Sequence, residues 1–370
     1  MLAAEFVAAL TEHGYGHFTG VPCSFFQSVY SYFQEQRPND YTPAANEGVA
    51  VAIAAGAVMA GLPTAVLIQN SGLGNMVNPL TSLCHTYRVP VLLFVSGRAV
   101  GVKDEPQHEL MGSVTEAVLE SCAAKVWTMA VDAKEFGAQL AEANASMKER
   151  GLPAAFIARK GSIDTFKTKP EFEASPALSR PAVLRMTSEI IPSDAVTLAT
   201  TGKQARELFA IDDQARNFYC MGSMGHVAGI GLGVAIAQPK RKVVVLDGDG
   251  SAIMHLGSMS TVGGTKPANL VHVVVDNRTY ESTGNQLTTS PNTDFCSVAK
   301  ACGYAQVWEA DTEAAYADVL RQALAAGGPS CIHARVNLDV VKDVPRITTK
   351  HTAPEIGANF TGFLARPAGD

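Results

Sequence analysis

Along the first half of the chain, short runs of apolar and β-branched residues alternate with stretches whose polar positions recur at helical spacing. Runs at 65–68, 89–95, 124–129 and 154–158 are short and mostly apolar, the pattern of strands buried on both faces. Such strands separated by helical segments predict a parallel sheet. The alternation lapses over 164–181, where three prolines and mixed charges interrupt any apolar period, and an exposed connection is expected there. It then resumes, with strands predicted near 195–199, 243–246, 271–275 and 330–334. Both halves carry a small-residue helix (50–61 and 228–238), a short strand, and a glycine-rich loop (QNSGLGN and DGDGSAI). The expectation is an α/β protein of two doubly wound parallel-sheet domains on a related plan, 1–165 and 183–370, joined by a linker at 166–182.

Composition narrows the function classes. A chain of 370 residues with 47% hydrophobic content has room for two ordinary cores. The net charge of −6 comes without a long run of one sign, so no surface suited to nucleic acid or an acidic membrane is expected. An anionic ligand must then be met by local positive charge. The longest nearly uncharged stretch, 48–62, falls short of the roughly 20 apolar residues of a membrane span, and a buried helix is predicted instead. Seven scattered cysteines without a C-x-x-C pair suggest reduced thiols in a cytoplasmic protein. Glu5 and Glu12 in an N-terminus lacking a basic stretch argue for an amphipathic first helix and against a signal peptide.

Two stretches carry chemistry. In VVVLDGDG the acid Asp249 lies between Gly248 and Gly250 just past a predicted strand, and Asn277 closes the next apolar run, LVHVVVD. Ligands of open parallel sheets bind at the carboxyl ends of strands, so both side chains can converge on one ion. Glycines let backbone N–H groups approach a phosphate, and Mg²⁺ takes carboxylate, amide and phosphate oxygens. GDG alone reads equally well as a tight turn; Asn277 after the neighbouring strand tips the balance. A dinucleotide fingerprint, G-x-G-x-x-G with a later acid, is missing. The second stretch is Ala45-Asn-Glu47-Gly48, an acid directly before the small-residue helix. Burial there would raise its pKa, although an acid in a first turn also simply complements the helix dipole.

GDG followed by Asn resembles the thiamin-diphosphate fingerprint of the pyruvate-decarboxylase superfamily. NEG (46–48), QNSGLGNMVNPLTSL (69–83), GVKDEPQHELMG (101–112), TTGKQARELF (200–209), MGSMGH (221–226) and DNRTYESTGNQ (276–286) narrow the resemblance to the phosphonopyruvate decarboxylase family, over nearly the whole chain and without a middle domain. That resemblance implies a pyrimidine-binding domain followed by a diphosphate-binding domain, with thiamin diphosphate and Mg²⁺ as cofactors. Asp249 and Asn277 become side-chain Mg²⁺ ligands, and Thr279 a backbone-carbonyl ligand. Glu47 becomes the acid beside N1′ of the aminopyrimidine, and Met224 the bulky residue beneath the thiazolium. Asn70, Thr201, Gly202, Gly222, Gly248, Gly250, Ser251 and Tyr280 are further cofactor contacts.

The activity implied is non-oxidative decarboxylation of 3-phosphonopyruvate to phosphonoacetaldehyde and CO₂, feeding phosphonate biosynthesis. Sulfopyruvate decarboxylation, or decarboxylation or carboligation of another 2-oxo acid, is the alternative. Superfamily members complete their sites with a second subunit, which implies a homodimer or a larger assembly. For the anionic tail, Ser24, Asn70, Arg98, Lys103 and His108 lie on predicted loops; Lys103 and His108 in the polar KDEPQH segment are favoured, with His108 also able to move a proton. Arg278 and Asn285 depart from the family pattern, which commonly has glycine at both positions. The neighbourhood of Arg98 departs as well.

Overall fold

The computed structural model describes residues 1–164 and 175–368. The chain divides into two compact units, Met1–Pro170 with Tyr280–Gln286, and Glu171–Thr279 with Leu287–Asp370.

In the first unit, helices α1 (Ala3–Glu12), α2 (Gln27–Gln36), α3 (Glu47–Met59), α4 (Leu73–Asn78), α5 (Pro106–Ser121) and α6 (Ala133–Arg150) surround six strands: β1 (His17–Gly20), β2 (Tyr41–Pro43), β3 (Thr64–Gln69), β4 (Leu92–Ser96), β5 (Lys125–Thr128) and β6 (Ala154–Ala158). The sheet order is β2-β1-β3-β4-β6-β5, and every pairing is parallel. Its central strands are buried on both faces, which is why they read as unbroken apolar runs. Phe6, Phe94, Phe136 and Phe156 pack on one face. Alanines and valines of α3, with Val66, Val91 and Val95, fill the other.

The second unit contains α7 (Arg180–Ile190), α8 (Lys203–Ile211), α9 (Val227–Ala237), α10 (Asp249–Met254), α11 (Gly257–Thr265), α12 (Phe295–Cys302), α13 (Glu313–Ala325) and α14 (Ala353–Leu364). Its sheet is built from β7 (Val196–Ala199), β8 (Asn217–Tyr219), β9 (Val243–Gly248), β10 (Leu270–Asp276), β13 (Gln306–Ala310) and β14 (Ser330–Arg335); a two-residue ladder, β11 (Thr279–Tyr280) with β12 (Gln286–Leu287), stands apart from it. The sheet order is β13-β14-β10-β9-β7-β8, again parallel throughout. Numbered within each unit, both sheets run 2-1-3-4-6-5. The shared plan expected from the two local repeats therefore extends to the whole sheet.

All eight predicted strands are present. Those missed in the two six-stranded sheets, β1, β2, β8 and β13, are three to five residues long, and the two-residue β11 and β12 were missed as well. HFTG, YTP, NFY and QVWEA are too short, or too broken by glycine, proline and polar residues, to show a period. The predicted linker at 166–182 lies, up to residue 174, outside the described residues. Its end belongs to α7, where Ser179 accepts from Ala182 N and Pro181 sits in the first turn. That proline, taken as a linker signal, opens a helix, a position where its missing N–H costs nothing. Among the described residues no helix is long and apolar enough to cross a membrane, and the seven cysteines are free thiols.

Candidate active site

Strand order reverses between β1 and β3 in the first unit and between β7 and β9 in the second. Such switch points leave a crevice at the carboxyl ends of the strands, where ligands of open α/β sheets bind. The predicted residues fall largely on the loops that leave these strands.

In the first unit Glu47 is the first residue of α3, after the N-cap Asn46, whose side chain accepts from Val49 N. Asn46 thus does the capping, and the Glu47 carboxylate is left for something else. Glu47 is only 5% exposed, its Oε2 accepts from Asn75 Nδ2 at 2.7 Å, and no cation is among its partners. Burial pushes its carboxyl above the ordinary value, against the opposing Asn75 hydrogen bond. The loop after β3 is fitted to it: a Cβ on Gly72 would lie 2.1 Å from Glu47 Oε1, so any side chain at 72 displaces the carboxylate.

Asn70 is fully buried, with its amide committed to the protein. Nδ2 donates to Arg98 O (2.8 Å) and Thr115 Oγ1 (2.9 Å), and Oδ1 accepts from Arg98 N (3.2 Å). Its observed role is to tie the loop after β3 to the loop after β4. That tie presents Arg98, which pairs through Nε and Nη2 with both Asp104 oxygens at 2.5 and 2.6 Å and reaches Ser24 Oγ through Nη1 at 3.5 Å. His108 Nδ1 lies 3.4 Å from Asp104 Oδ1. Ser24, Arg98 and His108 are thus brought together, while Lys103 stands exposed on the same loop. The Arg98 hydrogen bonds hold the Asp104 carboxyl down at about 2. Burial, and then the Arg98 charge, push His108 below its ordinary value. His108 does not lie on a loop as expected but is buried in the first turn of α5, because the helix begins at Pro106 and turns this side chain inward; it is consequently a neutral imidazole at neutral pH and not a cationic anchor.

In the second unit Asp249 follows β9 directly and is 3% exposed. Its Oδ2 accepts from Thr288 Oγ1 at 2.6 Å. Burial, and then the neighbouring Asp276 carboxylate, push it above its ordinary value. A cation beside such a carboxylate would offset that burial. Asn277 leaves the adjacent strand β10, also buried, its Oδ1 accepting from Thr279 N at 3.0 Å. The Thr279 hydroxyl is buried without a hydrogen-bond partner among the described residues. Ser251 Oγ meets Thr200 Oγ1 at 2.9 Å and accepts from Gly225 N at 3.1 Å, joining the GDG turn to the loops after β7 and β8. Thr201 Oγ1 donates to Met221 O at 2.7 Å, Gly202 has φ +91°, Gly222 O accepts from Cys220 Sγ, and Met224 is half-buried. Gly250 is buried within α10. Tyr280 opens the short segment that clusters with the first unit. Arg278 (φ +63°) and Asn285 (φ +64°) are both left-handed, which explains why glycine is common at those positions.

The comparisons with known proteins agree with this geometry. Residues 1–119 match the family described as thiamine pyrophosphate enzyme, N-terminal TPP binding domain, and residues 200–334 match its C-terminal TPP binding domain. Fold and site together therefore define a thiamine pyrophosphate enzyme. Phosphonopyruvate decarboxylase of Streptomyces viridochromogenes is 39% identical over 99% of this chain and 95% of its own, and that of Streptomyces hygroscopicus 36% over 99% and 94%. Sulfopyruvate decarboxylase of Methanosarcina acetivorans is 28% identical over 85% of each chain. The chain belongs to the phosphonopyruvate decarboxylase family.

The residues fit the cofactors. Asp249, Asn277 and Thr279 offer only oxygen, the donor set Mg²⁺ prefers, and Gly72 and Asn75 hold Glu47 as a buried acid. Sequence reasoning missed Asn75, Asp104, Thr115 and Thr288. Asn75 and Asp104 were in the quoted loops; an acid beside two bases in KDEPQH was the available sign of an ion pair. Thr115 and Thr288 gave none.

The low value of Asp104 yields a prediction. Its folded pKa is depressed, so its contribution to loop stability is complete above the ordinary 3.8 and lost as pH falls toward about 2. Hydrogen exchange of residues 97–105 should rise over that window, and Asp104→Asn should show the raised exchange already at neutral pH. Equal protection in variant and wild type at neutral pH would remove Asp104 as the tie.

Proposed function

We propose that the chain is a thiamin-diphosphate- and Mg²⁺-dependent carboxy-lyase converting 3-phosphonopyruvate to phosphonoacetaldehyde and CO₂. The observation that carries the reading is the buried Glu47 carboxyl, enclosed by Gly72 and held by Asn75, in a chain related over nearly its whole length to phosphonopyruvate decarboxylases. Bound thiamin diphosphate supplies a nucleophilic carbon and a sink for the electron pair that CO₂ leaves behind.

The protein's part divides between the units. Asn75 occupies Glu47 Oε2, which leaves Oε1 as the oxygen that would exchange a proton with the pyrimidine of a bound cofactor. Burial raises that carboxyl above its ordinary value, in the direction that acid–base work near neutrality requires. Asp249 and Asn277, with the Thr279 carbonyl, would hold Mg²⁺, and the GDG backbone and Ser251 would receive the diphosphate. Arg98 and Asp104 cancel each other's charge, so the surplus positive charge for the phosphonate falls to Lys103, with Ser24 and Arg98 Nη1 as further donors. Neutral His108 can donate or accept a hydrogen bond there without adding charge, and turns cationic only while it carries a transferred proton.

The reading includes self-association. Helices that are apolar all round belong inside a structure, yet α3 exposes Val49 and Met59, and α9 exposes Ile236. A second copy of the chain covering these faces satisfies them.

Assays of CO₂ release with 3-phosphonopyruvate, sulfopyruvate and pyruvate test the substrate. Phosphonopyruvate should give the highest kcat/KM, and Lys103→Ala should raise its KM about 10–100-fold, the value of one charge-assisted contact, with little change for pyruvate. Preference for sulfopyruvate, or equal effects of Lys103→Ala on all three, would overturn the assignment. Sedimentation should find a dimer or larger species that Ile236→Lys and Val49→Lys weaken. A wild-type monomer at assay concentration would refute self-association.

A further inference from the structure

Away from the diphosphate loops, the second unit holds a cluster that the proposed reaction does not use. In the β13–β14 register Glu309 stands opposite His333, and Cys296 lies in the first turn of α12. The Cys296 thiol, the Glu309 carboxylate and the His333 ring each place one ligand atom within 4.8 Å of the other two, with His333 Nδ1 3.8 Å from Glu309 Oε1.

His333 is the informative member. It is 6% exposed, and its Nε2 lies 3.0 Å from Asp276 Oδ2. Asp276 takes two more hydrogen bonds, from Ser290 Oγ and Arg278 N, so it acts as acceptor and fixes the proton on Nε2. Nδ1 then carries a lone pair within reach of an anion and of a thiol, whose own hydrogen goes to Trp308 O at 3.3 Å. Nδ1 is buried with no hydrogen-bond partner among the described residues. A buried ring nitrogen left so is costly, and a lone pair facing a carboxylate adds repulsion. A cation among the three atoms removes both penalties.

The geometry points to a transition-metal site in which Cys296 Sγ, His333 Nδ1 and Glu309 bind Zn²⁺, with water as the fourth ligand. Sulfur, nitrogen and oxygen donors in a set of three protein ligands suit tetrahedral Zn²⁺ and not Mg²⁺, which takes oxygen. Asp276 behind His333 is the partner that orients a metal-binding histidine and sharpens its basicity. On binding, the Cys296 thiol, pushed up to about 11 by burial and then Glu309, loses its proton to solvent and the metal takes its place on sulfur. The ion ties α12 to the β13–β14 edge. Through Asp276 it also steadies the backbone of Arg278, beside Asn277.

Co²⁺ titration of the full chain, loaded with thiamin diphosphate and excess Mg²⁺, tests the site. We expect one equivalent of Co²⁺ to produce a thiolate-to-cobalt charge-transfer band that Zn²⁺ abolishes. Cys296→Ser should lose the band, and Cys302→Ser on the same helix should keep it. No thiolate band at saturating Co²⁺, or a band that survives Cys296→Ser, would overturn the site. Glu309→Gln alters an exposed carboxylate and serves if Cys296→Ser does not fold. It should weaken Co²⁺ binding about tenfold or more; unchanged affinity would overturn the assignment.

Discussion

A carboxylate taken out of water without a cation beside it is among the most expensive groups a protein can bury, by several kcal/mol even after relaxation. Among the described residues, two buried carboxylates have no basic side chain among their hydrogen-bond partners: Glu47 and Asp249, one at the helix start beside the loop leaving the third strand of its sheet, the other directly after the third strand of its own. Neither is neutralised by a basic side chain. Glu47 receives an amide hydrogen bond from Asn75, and Asp249 a hydroxyl hydrogen bond from Thr288. Both carboxyls are consequently pushed upward, by burial first. In the proposed reading these costs would be offset by what the sites bind: a divalent ion at Asp249, and a ring nitrogen sharing the proton at Glu47. The local glycines follow from the same constraint, since Gly72 leaves the room in which the Glu47 carboxylate sits.

The duplicated sheet order supplies the frame. A parallel sheet of order 2-1-3-4-6-5 has its crevice between its first and third strands. In the first unit that crevice is lined by the loop carrying Ser24 and the loop carrying Asn70; in the second, by Thr200 and the GDG turn. In the proposed reading one architecture serves an acid in one unit and a metal clamp in the other. One strand further out in the first unit, Asn70 holds the Arg98 loop and Asp104 fixes the guanidinium in place.

Much of this was legible in the sequence because burial on both faces writes itself as unbroken apolar runs, as in LVHVVVD of β10. Asp249 and Asn277 were legible for the same reason, since polar residues that end such runs stand at the strand's carboxyl edge. Glu47 was visible by its place before an uncharged helix, although only the structure assigns the capping to Asn46 and leaves the acid free. Short strands such as HFTG and NFY were illegible because three or four residues cannot express a period. The neutral state of His108 was hidden too, because it depends on burial against Arg98, which no spacing reveals. Cys296, Glu309 and His333 lie far apart in sequence and meet only through strand register, so a search for metal spacings passes over them.

The central claim is that Glu47 is a buried acid acting on the cofactor's pyrimidine and not a helix cap. Exchange of the C2 proton of bound thiamin diphosphate for deuterium, followed by rapid quench and NMR in wild type and Glu47→Gln, tests it most directly. The variant keeps the size and hydrogen-bonding capacity of the side chain and loses only its proton. Exchange should slow by a factor of about 10² or more, with cofactor affinity changed far less. An unchanged exchange rate in Glu47→Gln would contradict it.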